Sequence, residues 1–445
     1  MNLSLLQIIL SMLAGIAAII LFTTKLRLPA FFSMLIACFI TGFGLQMSLP
    51  DILVAAKTGF GNTMQSLGFI IVLGTSLGLL LEHTGCTRVM AEYILRKTGE
   101  KNASLAISLT GFIVGLPVFC DSGFIVLSGL NKSMIRRTGI SKVTMSVSLA
   151  SALYAVHCMI PPHPGAAAAA GTLNADFGKL ILYGIIISFP VMLIGHWWAK
   201  YAGKKFQPIN NNNNEEDEPE TDNDRPTVIK AFLPVIVPII LIAARSFFIT
   251  TPQASQGWMK NVLALGDPVI ALTTGVLLAL YAKRKWSKDN ISLLLHEALE
   301  KAGTILLITA AGGAFGAILA ATHIEDHFAA MPLLSSMGLF LPFIIAFVLK
   351  TAQGSSTVAI ITTASIVLPL LTPLGLDSDN GRLLCVIAMG AGSMIISHAN
   401  DSYFWVIAKF SGIDMKTMLR SFSAVTILMG LAAMLLVWLL SLIIL

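Results

Sequence analysis

The chain has 445 residues, of which 56% are hydrophobic and 12% charged, with a formal net charge of +6. A soluble domain carries about 25% charged residues, so this composition excludes a soluble enzyme or a nucleic-acid-binding module and describes a polytopic membrane protein. Apolar windows near the ~20 residues that a hydrocarbon core of about 30 Å demands recur from end to end, and no stretch is long and polar enough for a separate soluble domain.

The first window, LSLLQIILSMLAGIAAIILF, has Lys25 and Arg27 after it, no positive residue before it and no small-residue cleavage pattern, so it is expected to be a retained span and not a signal peptide. Apolar elements follow near 28–47, 60–82, 103–135, 142–175 and 179–199. Residues 206–226, FQPINNNNNEEDEPETDNDRP, are Asn-rich, then acidic, and lack an apolar stripe. They read as a solvated linker. Beyond them the same order of elements recurs near 229–248, 262–282, 303–321, 338–371, 382–410 and 421–445. The expected architecture is therefore all-α and polytopic, with two inverted-topology repeats. Residues 1–205 form the first, 206–226 a cytoplasmic linker and 227–445 the second.

Two of these elements are pairs too short to cross twice. Residues 103–135 are split by Gly-Leu-Pro-Val-Phe-Cys-Asp-Ser-Gly into arms of about 12 to 14 residues, each reaching only ~20 Å. A re-entrant helical hairpin follows, and 338–371 predicts another, broken at KTAQGSSTV. With five crossings and one hairpin per half, the linker lies inside and both termini outside the cytoplasm. Most of the 29 Lys and Arg then collect in cytoplasmic segments, leaving Lys57, Lys179, Arg245, Lys260 and Arg382 outside. Inverted repeats with interrupted helices at the midplane are the plan of secondary transporters. Residues 84–102 and EALEKAG at 297–303 read as amphipathic cytoplasmic connectors.

Non-helical backbone survives in hydrocarbon only where protein or a wet cavity satisfies it, so the interruptions mark the site. Four are expected to converge: the hairpin tips at 115–123 and 351–356, HCMIPPHPG at 157–165, and SHANDSYFW at 397–405. Each ends in a helix N-terminus, where free N–H groups and the helix dipole favour an anion. Hydroxyls and amides stand there: Ser122, Gly123, Gln353, Gly354, Ser355, Ser356, Thr357, Asn400 and Ser402, with His163, are the candidate substrate contacts. Few fixed cations are expected among them. Ionisable groups at membrane depth are functional candidates by default, which makes Asp121, His157, His398 and Asp401 the candidates for proton coupling. Plainer roles stand beside these: Asp121 as a helix cap, His163 as donor to a loop carbonyl, Asp401 with Asn400 as an N-cap pair, and His196 beside Trp197 and Trp198 as an interfacial anchor.

AVHCMIPPHPG followed by NADFGKLILYG, then GGAFGAIL, AQGSSTVAIITTA and SHANDSYFW, together resemble the gluconate permease family, the gluconate:proton symporters of the ion transporter superfamily. The resemblance covers nearly the whole chain. It implies proton-coupled uptake of gluconate or a related sugar acid, with relatives that take D-serine, idonate or glycerate. At the first hairpin tip the chain carries Asp121 where the family often has Glu, one methylene longer. No cofactor is expected, and the expected partners are a small carboxylate, protons and the bilayer of the inner membrane. Movement of one repeat unit against another needs a fixed surface, hence an expected homodimer.

Two other readings compete. Sodium can replace protons, because carbonyls at broken helices bind Na⁺. Alternatively His157, Cys158, His163 and an acidic partner form an intramembrane metal site. An ATP-driven pump is disfavoured, since no Gly-x4-Gly-Lys-Ser/Thr loop is present. Five scattered cysteines argue against a disulfide framework.

Overall fold

A computed structural model describes residues 5–99, 102–206, 225–248, 257–283, 286–321, 336–398 and 400–445. Most of the acidic linker, together with His323, Asp326 and His327, lies outside the described residues. Every regular element among the described residues is helical.

The first half runs α1 (Leu5–Thr24), α2 (Ala30–Gly44), α3 (Leu49–His83), α4 (Cys86–Thr98), α5 (Ala103–Gly115), α6 (Cys120–Thr138), α7 (Lys142–Met159), α8 (Pro164–Thr172) and α9 (Phe177–Lys205). The second runs α10 (Val228–Phe248), α11 (Gly257–Ala264), α12 (Pro268–Ala282), α13 (Lys288–Ala320), α14 (Phe340–Gln353), α15 (Ser356–Val367), α16 (Asp379–Met394), α17 (Ser402–Ser411) and α18 (Met415–Ile444). A π-helical turn at Leu419–Ser423 interrupts α18. Both expected breaks are present, between α5 and α6 and between α14 and α15, and so are both interrupted helices, α7 with α8 and α16 with α17. The second arm of the first pair is longer than the expected 12 to 14 residues: α6 has 19, because the helix continues through the polar segment NKSMIRRT to Thr138.

Two expected spans are longer than the apolar pattern suggests. α3 begins at Leu49, because Ser48 accepts from Asp51 N and Pro50 suits a first turn. α13 begins at Lys288, capped by Ser287, whose side chain accepts from Asn290 N at 3.1 Å. Residues 297–303 are therefore the middle of one 33-residue helix and not a separate connector. Continuous helix through them satisfies every backbone group, and Ala298 and Ala302 are buried. The 84–102 segment does contain a short helix of its own, α4.

α3 and α13 pack antiparallel along their lengths: His83 meets Glu297 near one end, and Gly59 meets Gly313 near the other. A Cβ on Gly59 would collide with the Gly313 carbonyl oxygen. The close approach thus depends on small residues, as between helices in membranes generally.

The interrupted elements form the interior. Residues 143–156 of α7 are buried throughout, as are α15 from Val358 to Val367 and nearly all of α16. The long helices surround them and turn large apolar side chains outward, Leu6, Phe69, Leu442 and Ile443 among them. Exposed apolar surface of that extent matches a hydrocarbon solvent. His196 is not an interfacial anchor: it is 5% exposed, with Nδ1 at 3.3 Å from Ser108 Oγ and 3.4 Å from Ser148 Oγ. Trp197 beside it is exposed, and Trp198 Nε1 donates to Ser421 O at 2.8 Å.

Candidate functional site

The N-termini of α6, α8, α15 and α17 all border one cavity of about 540 Å³. Its wall takes Phe119, Cys120, Asp121 and Ser122 from the first hairpin tip, Tyr154, His157 and Pro164 from the first interrupted helix, Ser355 to Val358 with Ile361 from α15, and Asp401, Ser402 and Tyr403 from the second interrupted helix. α13 closes the ring with Lys301, Thr304, Ile305 and Ile308. All four interruptions singled out in the sequence meet here. The local reason each helix starts where it does is visible: Pro164 occupies the first turn of α8, Ser355 accepts from Val358 N at 3.3 Å, and Asp401 accepts from Tyr403 N at 3.0 Å.

Asp121 does not cap α6. The N-cap position is Phe119, and the Asp121 carboxylate faces the cavity with one hydrogen-bond donor, Cys120 Sγ at 3.9 Å. His157 lies on the same wall, and its Nδ1 is buried with no hydrogen-bond partner among the described residues. A buried ring nitrogen left so costs stability, which is tolerable where a ligand or an exchanging proton meets it.

His163 is withdrawn from the cavity. It is 2% exposed and its Nε2 is 2.7 Å from Gly115 O, at the end of α5, with the imidazole 4.9 Å from that of His157. The equivalent contact in the second half is made by different residues: Asn400 Nδ2 donates to Thr351 O at 2.8 Å, and His398 Nε2 lies 3.3 Å from the same oxygen. In both halves, side chains from the interrupted helix engage the carbonyls that end the first hairpin arm. Such carbonyls have no partner in their own helix.

The second half adds an ion pair. Lys350 Nζ is 2.6 Å from Asp401 Oδ2 and also donates to Gly354 O, and Ser397 Oγ donates to Asp401 at 2.6 Å. Asp401 therefore combines its N-cap role with a salt bridge. Few fixed cations are expected at the breaks, and one stands beside the second hairpin tip: Lys350, the first residue of KTAQGSSTV, is wholly buried there. Gly354 has φ +85, and a Cβ there would run into the Asn400 carbonyl, so the tip needs glycine in order to seat against the second break.

Of the candidate substrate contacts, Ser122, Ser355, Ser356, Thr357 and Ser402 line the cavity, as do Asp121, His157 and Asp401. Gly123, His163, Gln353, Gly354, His398 and Asn400 are not on its wall. The Gln353 amide is buried, with neither its nitrogen nor its oxygen paired among the described residues. Residues that sequence reasoning did not single out are Lys301, Thr304, Tyr154 and Tyr403, the two tyrosine rings stacking 5.6 Å apart, and Lys350 behind them. A lysine within the apolar run FLPFIIAFVLKTAQ was itself a signal for Lys350. Among the described residues no group of three or more His, Cys, Asp or Glu is placed to hold an ion, and His163 Nε2 is engaged by Gly115.

Seven helices among the described residues are long and apolar enough to cross a membrane. The model of the GntP family permeases matches residues 7–443. The chain is 31% identical to a gluconate permease of Pseudomonas aeruginosa over 456 aligned positions, covering 98% of each chain. It is 30% identical to the high-affinity gluconate transporter of Escherichia coli, covering 92% of this chain and 93% of that one. The inner membrane permease YgbN of Escherichia coli is 30% identical over 96% of both chains. Among solved structures the fold is similar to that of the Alcanivorax borkumensis YdaH transporter, with a TM-score of 0.63, 15% identity and 88% of each chain covered. The length of the family match, the multi-pass helical fold and the permease relatives agree: the chain is a multi-pass inner-membrane protein, a transporter and not an enzyme, and belongs to the GntP permease family.

Proposed function

We propose that this permease takes up gluconate or a related small sugar acid together with protons. The observation that carries the reading is the meeting of four helix N-termini on one cavity, with Ser122, Ser355, Ser356, Thr357 and Ser402 on its wall. Four positive dipole ends suit a carboxylate, and adjacent hydroxyls suit a polyhydroxy chain. Relatives named as gluconate permeases and as an L-idonate transporter support the same class.

Proton coupling rests on Asp121 and His157, both on the cavity wall. The ion pair of Asp401 with Lys350 supports a role for Asp401 in holding the second hairpin tip. Sodium coupling calls for a carbonyl-and-carboxylate cage at a break. Here the carbonyl of Gly354 and the carboxylate of Asp401 already hold the ammonium of Lys350.

The proposed topology is two inverted repeats, residues 1–205 and 227–445, each with five crossings and one re-entrant hairpin, joined by the cytoplasmic linker 206–226. The recurring element order, the paired short helices and the distribution of Lys and Arg support it. A homodimer belongs to the same proposal, as the fixed surface against which one unit moves.

The test is uptake into proteoliposomes under an imposed pH gradient, with and without a membrane potential and with sodium replaced, comparing gluconate, glycerate and D-serine. Gradient-driven uptake of a sugar acid without sodium is expected. A second proton per substrate would show as sensitivity to potential, at about 2.3 kcal/mol per 100 mV. Uptake of none of the three overturns the substrate assignment.

A further inference from the structure

We propose that Lys301 is the cation that receives the carboxylate of the bound sugar acid, leaving Glu297 for the substrate as the site fills; the proposal rests on the sugar-acid reading above and deepens it. Lys301 stands on the cavity face of α13 with Thr304, Ile305 and Ile308, at the i, i+3, i+4 and i+7 spacing of a single helix stripe. Among the described residues it is the Lys or Arg that the cavity wall presents. Lys350, the nearby alternative, is wholly buried and held by Asp401 and Gly354.

The backbone under Lys301 is packed against its neighbours, whereas its side chain is partly exposed. Ala302 is buried in a cluster with Leu67, Ile71, Ala168 and Ile361, which pins this turn of α13 against α3, α8 and α15. The Lys301 side chain itself is 44% exposed and pairs at 2.8 Å with Glu297, one turn back and 38% exposed. Exposed i, i+4 pairs are weak, so the exchange of one carboxylate for another costs little. The incoming carboxylate has a further advantage, because the hydroxyls and free amides at the start of α15 border the same cavity. With its acid end between α15 and Lys301, a sugar acid places its hydroxyls toward Ser122 and Asp121, where a second carboxylate would be repelled. The arrangement selects monoanions over neutral polyols.

The test compares wild type, K301Q, K301R and E297Q in lipid nanodiscs, with gluconate, glycerate, lactate, D-serine and the neutral polyol D-glucitol as probes. Binding is read by titration and by thermal stabilisation. K301Q is expected to weaken gluconate binding by at least about tenfold, K301R to recover most of it, and E297Q to bind gluconate as well as wild type or more tightly. Affinity for D-glucitol should be the same in all four. Gluconate binding by K301Q equal to wild type overturns the proposal, and so does equal weakening by E297Q, which would mark the pair as structural. If the wild type binds lactate or D-serine but no sugar acid, the substrate reading falls while the Lys301 assignment is judged by the same ratio on that carboxylate. A wild type that binds no monocarboxylate overturns both.

Discussion

Lys350 and Asp401 are 51 residues apart in sequence and bonded at 2.6 Å in the interior, so a salt bridge fastens the second hairpin tip to the second interrupted helix. Asp401 accepts from Ser397 Oγ and Tyr403 N as well, and Lys350 donates to Gly354 O, which leaves both charges well solvated by protein. Removing one partner strands the other, and for a buried pair that costs about 3–5 kcal/mol. K350M is expected to lower the melting temperature of the purified protein sharply, and D401L likewise. The double variant K350M/D401L should recover part of the loss, because neither charge is then left unpaired. Additive losses in that double-mutant cycle would contradict the role given to the pair.

His163 makes the corresponding tie in the first half through Gly115 O. H163F keeps an aromatic ring against Phe119 and His157 but withdraws the donor from a buried carbonyl, which costs about 1–3 kcal/mol. The expected outcome is a lower melting temperature with little change in the KM for substrate. An unchanged melting temperature with a raised KM would move His163 back among the substrate contacts.

The fold was legible wherever an interruption carried its own chemistry. Pro161, Pro162 and Pro164, Gly354 and the acidic N-cap Asp401 each stop or start a helix by local rules, so the positions of the helix breaks could be placed from residues alone. Helix starts outside the apolar window were not legible. Ser48 and Ser287 lie in polar sequence whose helicity depends on caps and on packing along a neighbour, and the spans that they begin were placed too late. For the site, residues within the breaks were found, while those reaching in from unbroken helices were missed. Lys301 and Thr304 look like any amphipathic face until α13 is packed against α15. Lys350 stands at the end of an apolar run, but its burial and its partner depend on a contact 51 residues away in sequence.

Gly354 offers a backbone test of the seat between the second tip and the second break. G354A places a Cβ where φ is +85, at a cost of about 1–2 kcal/mol, and drives it into the Asn400 carbonyl. Both uptake and stability should fall. G303A is the control: a Cβ on Gly303, in the same half of the chain but inside α13, meets nothing within 4 Å. Alanine in a helix interior is favoured over glycine by about 0.5–1 kcal/mol, so G303A should be neutral or slightly stabilising. A G354A protein that transports like wild type would show that the tip need not seat this closely.

Asp121 separates coupling from binding. Of the two acids on the cavity wall, Asp401 is held by Lys350, whereas Asp121 has no ion pair among the described residues and one weak thiol donor. A carboxylate so placed can take a proton with the substrate and release it on the other side, and its neutral amide analogue cannot. D121N is therefore expected to lose accumulation driven by a pH gradient, about tenfold for each pH unit imposed, since one coupled proton is worth about 1.36 kcal/mol per unit. It should still exchange labelled for unlabelled substrate across the membrane, since exchange needs no net proton movement. D121E should keep gradient-driven uptake. Proteoliposome uptake and counterflow, measured on the same preparation, decide the matter: loss of both activities in D121N would make Asp121 a binding residue, and retention of both would transfer the proton to His157.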